Sequence, residues 1–339
     1  MKAISIPEPG RAEIVEIPEP RLGPEEALIE IHKVGLCGSD LNTWRGLSPM
    51  VTYPRIPGHE VSGAIVAKGA AVPARLKEGA RVMLSPYTNC NLCPACRAGR
   101  PNCCQFNETL GVQRDGALTK RVAIHYSKVF ASDVLSFDEL ALAEPLSVGY
   151  HAANRGRVRE TDTVLILGCG TIGLGAIAAA ARKGARVIAA DIDDVKIAMA
   201  RKFGAREGIN SAKEDIEKRV GELTGGEGVN VAIEAIGLPQ TFRQAVELAA
   251  YAGRVVYIGY AKAEVAYDTK KFVSKELDIM GSRNALLVFP VVIQMLEERA
   301  MPFEEMITRT YPFDKAAAAF DDWSADPGKV AKLLIDVRA

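Results

Sequence analysis

The residues of this chain that can do chemistry fall into groups, and the first is a run of cysteines between residues 89 and 105. Five of the seven cysteines lie there, and four of them have two, two and seven residues between them: Cys90, Cys93, Cys96 and Cys104. Four thiolates at these spacings can surround one tetrahedral zinc ion and leave no position open, so such a zinc is structural. A disulfide-linked loop is the alternative. The opening MKAISIPEPG has no apolar signal segment, which favours the metal.

A second group combines a cysteine, a histidine and two glutamates from three separate segments. They lie in the sequences GLCGSD, PGHE and AEPLS, and they are Cys37, His59, Glu60 and Glu144. One thiolate, one imidazole and one or two carboxylates form a mixed set that leaves a position open, as a catalytic zinc requires. A lone cysteine or histidine usually has a packing role. The combination, in a chain that also carries the four-cysteine run, predicts a catalytic metal site.

A third group is a glycine-rich turn after the apolar run VLIL. The turn reads Gly168-Cys169-Gly170-Thr171-Ile172-Gly173. The motif alone is weak, but here it follows a strand and opens a helix, as a dinucleotide-binding turn does. The three glycines would allow the tight turn, the approach of the pyrophosphate, and close packing of the helix. The helix N-terminus would supply amide donors for the phosphates.

The choice between NAD and NADP rests on an acidic residue at the end of the next predicted strand. Asp191 would accept hydrogen bonds from the ribose hydroxyls and would repel a 2′-phosphate, so NAD is expected. Lys196 is a further candidate for a cofactor phosphate. The alternative is a glycine-rich turn in a sheet that binds no nucleotide.

The elements that position these residues change in character near Ala141. Before it the chain predicts a barrel-like all-β region with strands at Ala27–Val34, Val61–Ala67, Arg81–Leu84 and Lys120–His125. After it we expect a helix at Ala141–Asn154, interrupted early by Pro145. Strands then alternate with helices, which indicates a doubly wound parallel sheet. The predicted strands are Val164–Leu167, Val187–Ala190, Val231–Glu234 and Arg254–Ile258. The predicted helices are Thr171–Ala181, Val195–Phe203, Ile216–Leu223 and Gln240–Ala249.

The C-terminal tail from Phe289 predicts mainly helix and a final strand at Leu333–Val337, with no cluster of site residues. The 339 residues suggest two domains. The 42 basic and 42 acidic residues give no net charge, which argues against nucleic acid or an anionic membrane as a partner. No apolar run approaches the roughly 20 residues of a membrane span. We expect a cytoplasmic protein.

These motifs together resemble the zinc-dependent medium-chain alcohol dehydrogenase family, over essentially the whole chain. The matching sequences are GLCGSD, PGHE, the cysteine run, AEPLSVGYHA and VLILGCGTIGLGA. The resemblance implies an α/β fold with a GroES-like β-barrel catalytic domain and a Rossmann domain. We expect the first at 1–147 with a structural-zinc lobe at 89–105, the second at 148–283, and a return to the catalytic domain at 284–339.

The resemblance also implies roles for the mixed group. Cys37 and His59 would bind zinc, with Glu60 or Glu144 as the third protein ligand. Zinc would polarise an alcohol oxygen, and NAD would accept the hydride. Ser39 matches the hydroxyl that passes the proton outward. Many relatives carry a histidine three residues later, where this chain has Asn42, so the proton route must differ.

The substrate prediction comes from the segment Met280–Ala285, because in relatives this segment lies against the nicotinamide and the substrate. The sequence GSRNA most resembles that of a bacterial sugar-acid branch of the family, typified by L-galactonate 5-dehydrogenase. Arginine suits a carboxylate, because its planar fork binds one with two hydrogen bonds. The candidate contacts are Ser282 and Arg283 for the cofactor, and Trp44, Phe106, Arg283 and Asn284 for the substrate.

We therefore expect NAD-dependent oxidation of a secondary hydroxyl of a sugar acid or polyol. Two alternatives remain: oxidation of a hydroxy amino acid in the manner of threonine dehydrogenase, and a retired enzyme kept as a nucleotide-binding protein. Family members in bacteria often form tetramers, so a homo-oligomer, tetramer or dimer, is expected.

Overall fold

A computed structural model describes all residues from Met1 to Ala339, and they form two compact units. The first contains Met1–Glu144 and Phe289–Ala339, and the second contains Pro145–Val288. The first unit is therefore built from both ends of the chain, and the second is one continuous segment. None of the helices has the length and apolar character needed to cross a membrane.

The first unit is mainly β-structure. Its strands are β1 (Lys2–Glu8), β2 (Arg11–Glu16), β3 (Glu26–Leu36), β4 (Glu60–Lys68), β5 (Arg81–Leu84), β6 (Arg121–His125), β7 (Val129–Ala131), β14 (Ile307–Pro312) and β15 (Lys332–Asp336). Its helices are α1 (Gly38–Trp44), α2 (Pro94–Arg97), the start of α3 (Phe137–Arg155), α9 (Phe289–Glu297) and α10 (Ala316–Ala325).

The strand β3 organises this unit. The main sheet has the order β14-β15-β3-β4-β5-β7, and β6 also pairs with β3. Side chains alternate along its first half, with Ala27, Ile29 and Ile31 completely buried, as expected for a strand with one face on a core. The neighbour β15 comes from the C-terminal tail, so the tail completes the sheet rather than lying beside it.

The second unit is a parallel sheet covered by helices. Its strands are β8 (Thr163–Leu167), β9 (Arg186–Asp191), β10 (Glu207–Asn210), β11 (Val229–Glu234), β12 (Ala249–Tyr257) and β13 (Asp278–Gly281). Its helices, after the end of α3, are α4 (Thr171–Arg182), α5 (Asp194–Lys202), α6 (Ile216–Thr224), α7 (Pro239–Leu248) and α8 (Lys270–Ser274).

The strand order of this sheet is β10-β9-β8-β11-β12-β13, with every pair parallel. The order reverses direction between β8 and β11. In open parallel sheets, ligands bind outside the carboxyl ends of the strands at such a point. The predicted α/β class with a doubly wound parallel sheet is confirmed.

Two local predictions were wrong. The helix α3 is continuous from Phe137 to Arg155 and runs through Pro145, where an interruption was expected. Leu142 and Leu146 on either side of the proline are completely buried, and this packing offsets the roughly 3 kcal/mol that an internal proline costs. The tail is also less helical than expected, because it contains β14 as well as β15. The strands β1, β2, β7, β10 and β13 were also not predicted.

Candidate functional site

The residues Cys37, His59 and Glu60 lie together in the first unit. Their ligand atoms all lie within 4.8 Å of one another. Cys37 follows the last residue of β3, and Glu60 is the first residue of β4. Because β3 and β4 are antiparallel and Gly35 pairs with Glu60, the two strand ends meet at the same place. The sequence motifs are distant, but strand pairing makes them one site.

A glycine in β3 makes room for the carboxylate of Glu60. A Cβ atom at Gly35 would lie 2.2 Å from Glu60 Oε2 and 3.0 Å from Glu60 Cβ. Real Cβ atoms do not approach this closely, so a side chain at Gly35 would displace Glu60. The first glycine of GLCGSD therefore has a steric role in the site.

The imidazole of His59 is buried between acidic groups. Its Nδ1 lies 3.7 Å from Asp40 Oδ1 and has no hydrogen-bond partner. Asp40 is fixed by the backbone, because Cys37 N donates to its Oδ2 at 2.9 Å. Burial lowers the pKa of His59, but the nearby negative groups of Asp40 and Cys37 outweigh it and raise the pKa well above its usual value. The site therefore attracts a positive charge.

Glu60 forms a buried ion pair with a lysine of the tail. Lys332 Nζ donates to both Glu60 Oε1 and Oε2 at 2.6 Å, and to Leu36 O at 2.9 Å. The side chains are 4% and 0% exposed. Lys332 is the first residue of β15, so the tail contributes a residue to the site. The tail was expected to hold no cluster of site residues, and this single lysine is the residue that it contributes.

Glu144 is held differently. The hydroxyl of Tyr87 donates to Glu144 Oε1, and both residues are buried. Glu144 is not part of the group whose ligand atoms lie within 4.8 Å. Burial and the nearby charge of Glu60 raise the pKa of Glu144 to about 7, against the lowering effect of His59. Of the two candidate carboxylates, Glu60 lies closer to Cys37 and His59.

These observations fit a zinc ion. A thiolate, an imidazole and a carboxylate are zinc ligands in proteins, and three of them leave a fourth position for water or substrate. The imidazole nitrogen without a partner and the excess of acidic groups are what a divalent cation would satisfy. The residues that would hold it are Cys37, His59 and Glu60.

The four cysteines of the predicted structural lobe are also brought together. The sulfur atoms of Cys90, Cys93, Cys96 and Cys104 lie within 4.8 Å of one another, and none is in a disulfide. The backbone N–H groups of Leu92 and Cys93 donate to Cys90 Sγ at 3.4 and 3.3 Å. These donors lower the pKa of Cys90. Four sulfur atoms at these distances fit a tetrahedral zinc ion, and Cys103 lies outside the group.

In the second unit, the glycine-rich turn follows β8 and opens α4. Gly168 has a φ of +99°, which favours glycine. A Cβ at Gly173 would lie 1.8 Å from Gly168 O, so this glycine allows the helix to pack on the turn. A Cβ at Gly170 would meet nothing within 4 Å, so the turn is open there. Thr171 and Ile172 are the first residues of α4, whose N-cap is Gly170.

Asp191 ends β9 beside this turn. Its Oδ2 accepts from Cys169 N at 2.8 Å, and its Oδ1 accepts from Ile192 N at 2.8 Å. The carboxylate is thus held in a fixed orientation at the carboxyl end of the sheet. Lys196 lies on α5, half-buried. The open glycine turn, the helix N-terminus and the fixed carboxylate fit a dinucleotide.

The segment after β13 places three further predicted residues on the second unit. Ser282 is buried, and its Oγ has no hydrogen-bond partner. Arg283 is exposed, and Asn284 is half-buried with a φ of +53°. They follow the carboxyl end of β13, which is an edge strand of the parallel sheet. The glycine-rich turn follows the carboxyl end of β8 in the same sheet.

The remaining predicted residues lie in the first unit. Trp44 is buried and stacks on Phe320, with ring centroids 5.3 Å apart, so it is part of the core. Phe106 is 62% exposed. Ser39 is half-buried in the first turn of α1, and Asn42 is half-buried in the next turn.

Sequence reasoning missed Asp40, Tyr87 and Lys332. Asp40 is part of GLCGSD, and an acidic residue next to a candidate ligand was a usable signal. The other two carry no local signal, because a lone tyrosine in a loop and a lone lysine in a tail are ordinary. Their roles depend on contacts between residues far apart in the sequence.

Comparisons with known proteins agree with this geometry. The family model described as alcohol dehydrogenase GroES-like domain matches residues 23–133, and the one described as zinc-binding dehydrogenase matches residues 171–298. The chain is 34% identical to L-galactonate-5-dehydrogenase of Escherichia coli K12 over 307 residues, which covers 90% of this chain and 89% of the relative.

Solved structures are similar over the whole length. A crystal structure of an alcohol dehydrogenase of E. coli CFT073 with NADH has a TM-score of 0.92 at 30% identity, and covers 99% of each chain. A protein of Sinorhizobium meliloti 1021 with bound NADP has a TM-score of 0.89 at 30% identity, covering 99% of this chain and 98% of that one.

The chain therefore belongs to the zinc-type medium-chain alcohol dehydrogenase family, with a GroES-like domain and a Rossmann-like parallel sheet. It is a zinc-dependent oxidoreductase by family, the two similar structures hold NADH and NADP, and its relatives include L-galactonate-5-dehydrogenase and a sorbitol dehydrogenase. The predicted family, fold class, enzyme class and cofactors are confirmed.

Proposed function

We propose that this enzyme oxidises a secondary hydroxyl of a sugar acid or polyol to a ketone, with transfer of the hydride to NAD and release of one proton. The observation that carries the proposal is the close set of Cys37, His59 and Glu60, which leaves a metal with an open position. When bound, zinc supplies the Lewis acid that makes the hydroxyl acidic, and NAD supplies the hydride acceptor.

The residues around the metal have distinct parts in this reaction. Cys37, His59 and Glu60 hold the metal, and Asp40 lies 3.7 Å from His59 Nδ1 and adds a negative charge beside the ring. Ser39 is our candidate for receiving the substrate proton, because it lies two residues after Cys37 on α1. Asn42 cannot titrate near neutral pH, so the proton does not leave through a side chain at that position. Asn42→His should preserve activity, and a large loss in Asn42→Ala would instead give Asn42 a role in substrate orientation.

We propose that Asp191 makes the enzyme prefer NAD over NADP. Its carboxylate is held by backbone donors and would accept from the ribose hydroxyls. Asp191→Ser should lower the ratio of kcat/KM with NAD to kcat/KM with NADP, mainly because NAD binds less tightly. Because one relative binds NADP, the wild type is measured with both; a higher kcat/KM with NADP would refute the assignment.

The sugar-acid part of the proposal is supported by the likeness to L-galactonate-5-dehydrogenase and by the exposed Arg283 after β13. If this guanidinium binds a substrate carboxylate, Arg283→Ala should lower kcat/KM for a hexonate by about 2–4 kcal/mol of transition-state stabilisation. The matching neutral polyol should lose much less. Arg206→Ala, which removes another exposed arginine of the second unit, is the matched control.

The deciding experiment is a substrate panel of hexonates, pentitols and threonine with NAD, followed through the absorbance of NADH. Fast oxidation of a hexonate or pentitol supports the proposal. Threonine as the best substrate would favour the hydroxy amino acid alternative. Equal loss on acid and neutral substrates in Arg283→Ala would make Arg283 structural and would remove the argument for a sugar acid.

We also propose a cytoplasmic homo-oligomer, a tetramer or a dimer. The compartment is supported by seven free cysteines, four of them close enough to bind one metal, since an oxidising compartment would pair such thiols. The assembly is supported by the family resemblance alone. Sedimentation at equilibrium would measure it, and a monomer at micromolar concentration would refute it.

A further inference from the structure

The ion pair of Lys332 with Glu60 is unusual because both partners are almost fully buried. The ammonium group donates to both oxygens of the carboxylate at 2.6 Å, and its remaining donor is used by Leu36 O at 2.9 Å. All three N–H donors of this lysine are therefore satisfied. Burial of the lysine charge costs free energy, and these three hydrogen bonds offset that cost. They also fix the position of the ammonium group.

The carboxylate of Glu60 thus faces two cations. One is Lys332, and the other is the metal that Cys37 and His59 would hold, because Glu60 lies within 4.8 Å of both. An ionised carboxylate offers about four lone-pair sites, and Lys332 uses two of them. Glu60 can therefore bind a metal and the lysine together, but the lysine draws negative charge away from the metal.

Glu144 provides a contrast within the same unit. It accepts a hydrogen bond from the neutral hydroxyl of Tyr87, and it lies outside the group of close ligand atoms. Glu60 is the carboxylate inside that group, and it accepts from a buried lysine. The lysine therefore contacts a candidate metal ligand directly.

We propose that Lys332 is a positioning residue of the metal centre, which orients Glu60 and weakens it as a zinc ligand, so that zinc is held less tightly and Glu60 stays exchangeable. This inference rests on the proposed assignment of Cys37, His59 and Glu60 as metal ligands. Removal of the lysine charge leaves Glu60 with the metal as its only cation.

The test measures zinc release from the purified enzyme to a chromophoric chelator, without NAD or substrate. Zinc release from the Cys37 site is identified as the kinetic phase that is missing in Cys37→Ser. The remaining phase is zinc release from the four cysteines. In Lys332→Met this phase should slow by at least about tenfold, as expected when a buried charge loses its partner. The difference in Tm between the zinc-loaded and metal-free protein should also widen.

Two further variants give the control and the mechanism. Lys33→Met removes a lysine on the neighbouring strand β3 that also pairs with carboxylates, Asp336 at 2.9 Å and Asp138 at 3.3 Å, and it should leave zinc release unchanged. In a Glu60→Gln background, Lys332→Met should cause no further slowing, because the lysine acts through Glu60.

Unchanged or faster release from folded Lys332→Met overturns the proposal, and so does equal slowing in Lys33→Met. If Lys332→Met does not fold, Lys332→Gln is measured with the same criteria, since its amide can still donate to Glu60. A wild type that lacks the Cys37-dependent phase overturns the ligand assignment itself. A failed substrate panel with intact zinc release refutes only the proposed substrate.

Discussion

The two candidate metal centres of the first unit are built in opposite ways. The four cysteines lie in one short segment, with Cys90 and Cys104 only 14 positions apart, and backbone N–H groups of the same segment donate to their sulfur atoms. The mixed centre takes Cys37 from the end of β3, Glu60 from the start of β4, and the partner Lys332 from 272 positions further along. One centre is local, and the other requires the assembled sheet.

The difference in ligand type has a functional meaning. The lobe offers four thiols, two of them buried and two half-buried, whereas the mixed centre joins the half-buried Cys37 to the buried His59 and Glu60. A local set of four like ligands closes its metal off and can do no more than hold a loop. A buried set of unlike ligands leaves a position open and places charges around it, which is what a reaction needs. The predictions that follow test this contrast, starting from the largest effect.

Removal of a mixed-centre ligand should abolish turnover and preserve the fold. In Cys37→Ser we expect kcat to fall by at least about 10³-fold, because the several kcal/mol of Lewis-acid stabilisation are lost. Metal analysis should fall from two zinc ions per chain to one, with an unchanged circular dichroism spectrum. Cys103→Ser, outside both centres, is the control. Unchanged turnover in Cys37→Ser would refute the catalytic role of the mixed centre.

Removal of a ligand from the four-cysteine lobe should instead cost stability. Cys93→Ser should lower the free energy of unfolding by about 2–5 kcal/mol, because metal binding energy is folding energy and the lobe loses its crosslink. Turnover per folded molecule should be kept. Thermal unfolding with Cys103→Ser alongside gives the measurement, and a stable but inactive Cys93→Ser would contradict the structural role.

The buried carboxylate of Glu144 should make the metal-free protein sensitive to pH. The pKa of Glu144 is raised from 4.5 to about 7, mainly by burial, so the folded state binds its proton more tightly than the unfolded state does. This stability is fully present below about pH 4.5 and is lost as the pH rises to about 7, by up to about 3 kcal/mol. Denaturation of the metal-depleted protein should show this decline. Glu144→Gln should remove it, and an equal decline in that variant would refute the cause.

The smallest effect is steric. In Gly35→Ala, the new Cβ would lie 2.2 Å from Glu60 Oε2, so Glu60 must move. We expect a loss of about 1–3 kcal/mol of stability from overpacking, together with weaker zinc retention. Gly38→Ala is the control, because its Cβ would meet nothing within 4 Å. Equal behaviour of the two variants would show that Glu60 does not depend on Gly35.

The sequence was most informative where function requires rare residue types at fixed spacing. The chain has only four histidines and seven cysteines, so PGHE and the cysteine run were conspicuous, and the structure brings those residues together. The parallel sheet was predictable because its buried strands are short apolar runs separated by helices. These signals are local, and each can be read within a short window of sequence.

The parts that could not be predicted depend on distant contacts. Nothing near Lys332 distinguishes it from the other lysines, and its burial arises only because β15 pairs with β3. The stacking of Trp44, a candidate substrate contact, on Phe320 in the core also has no signal in its local sequence. Pro145 indicated a helix break, but the burial of its neighbours overrode this local preference.

The position of β15 has a consequence for synthesis. Glu60 leaves the ribosome 272 positions before Lys332, a delay on the order of 15–50 s at roughly 5–20 residues per second. During this time the carboxylate must stay hydrated, because burial without its cation would be costly. The continuous second unit, Pro145–Val288, is complete before β15 is made. A nascent chain should therefore close its metal centre last, once the final strand has joined the sheet.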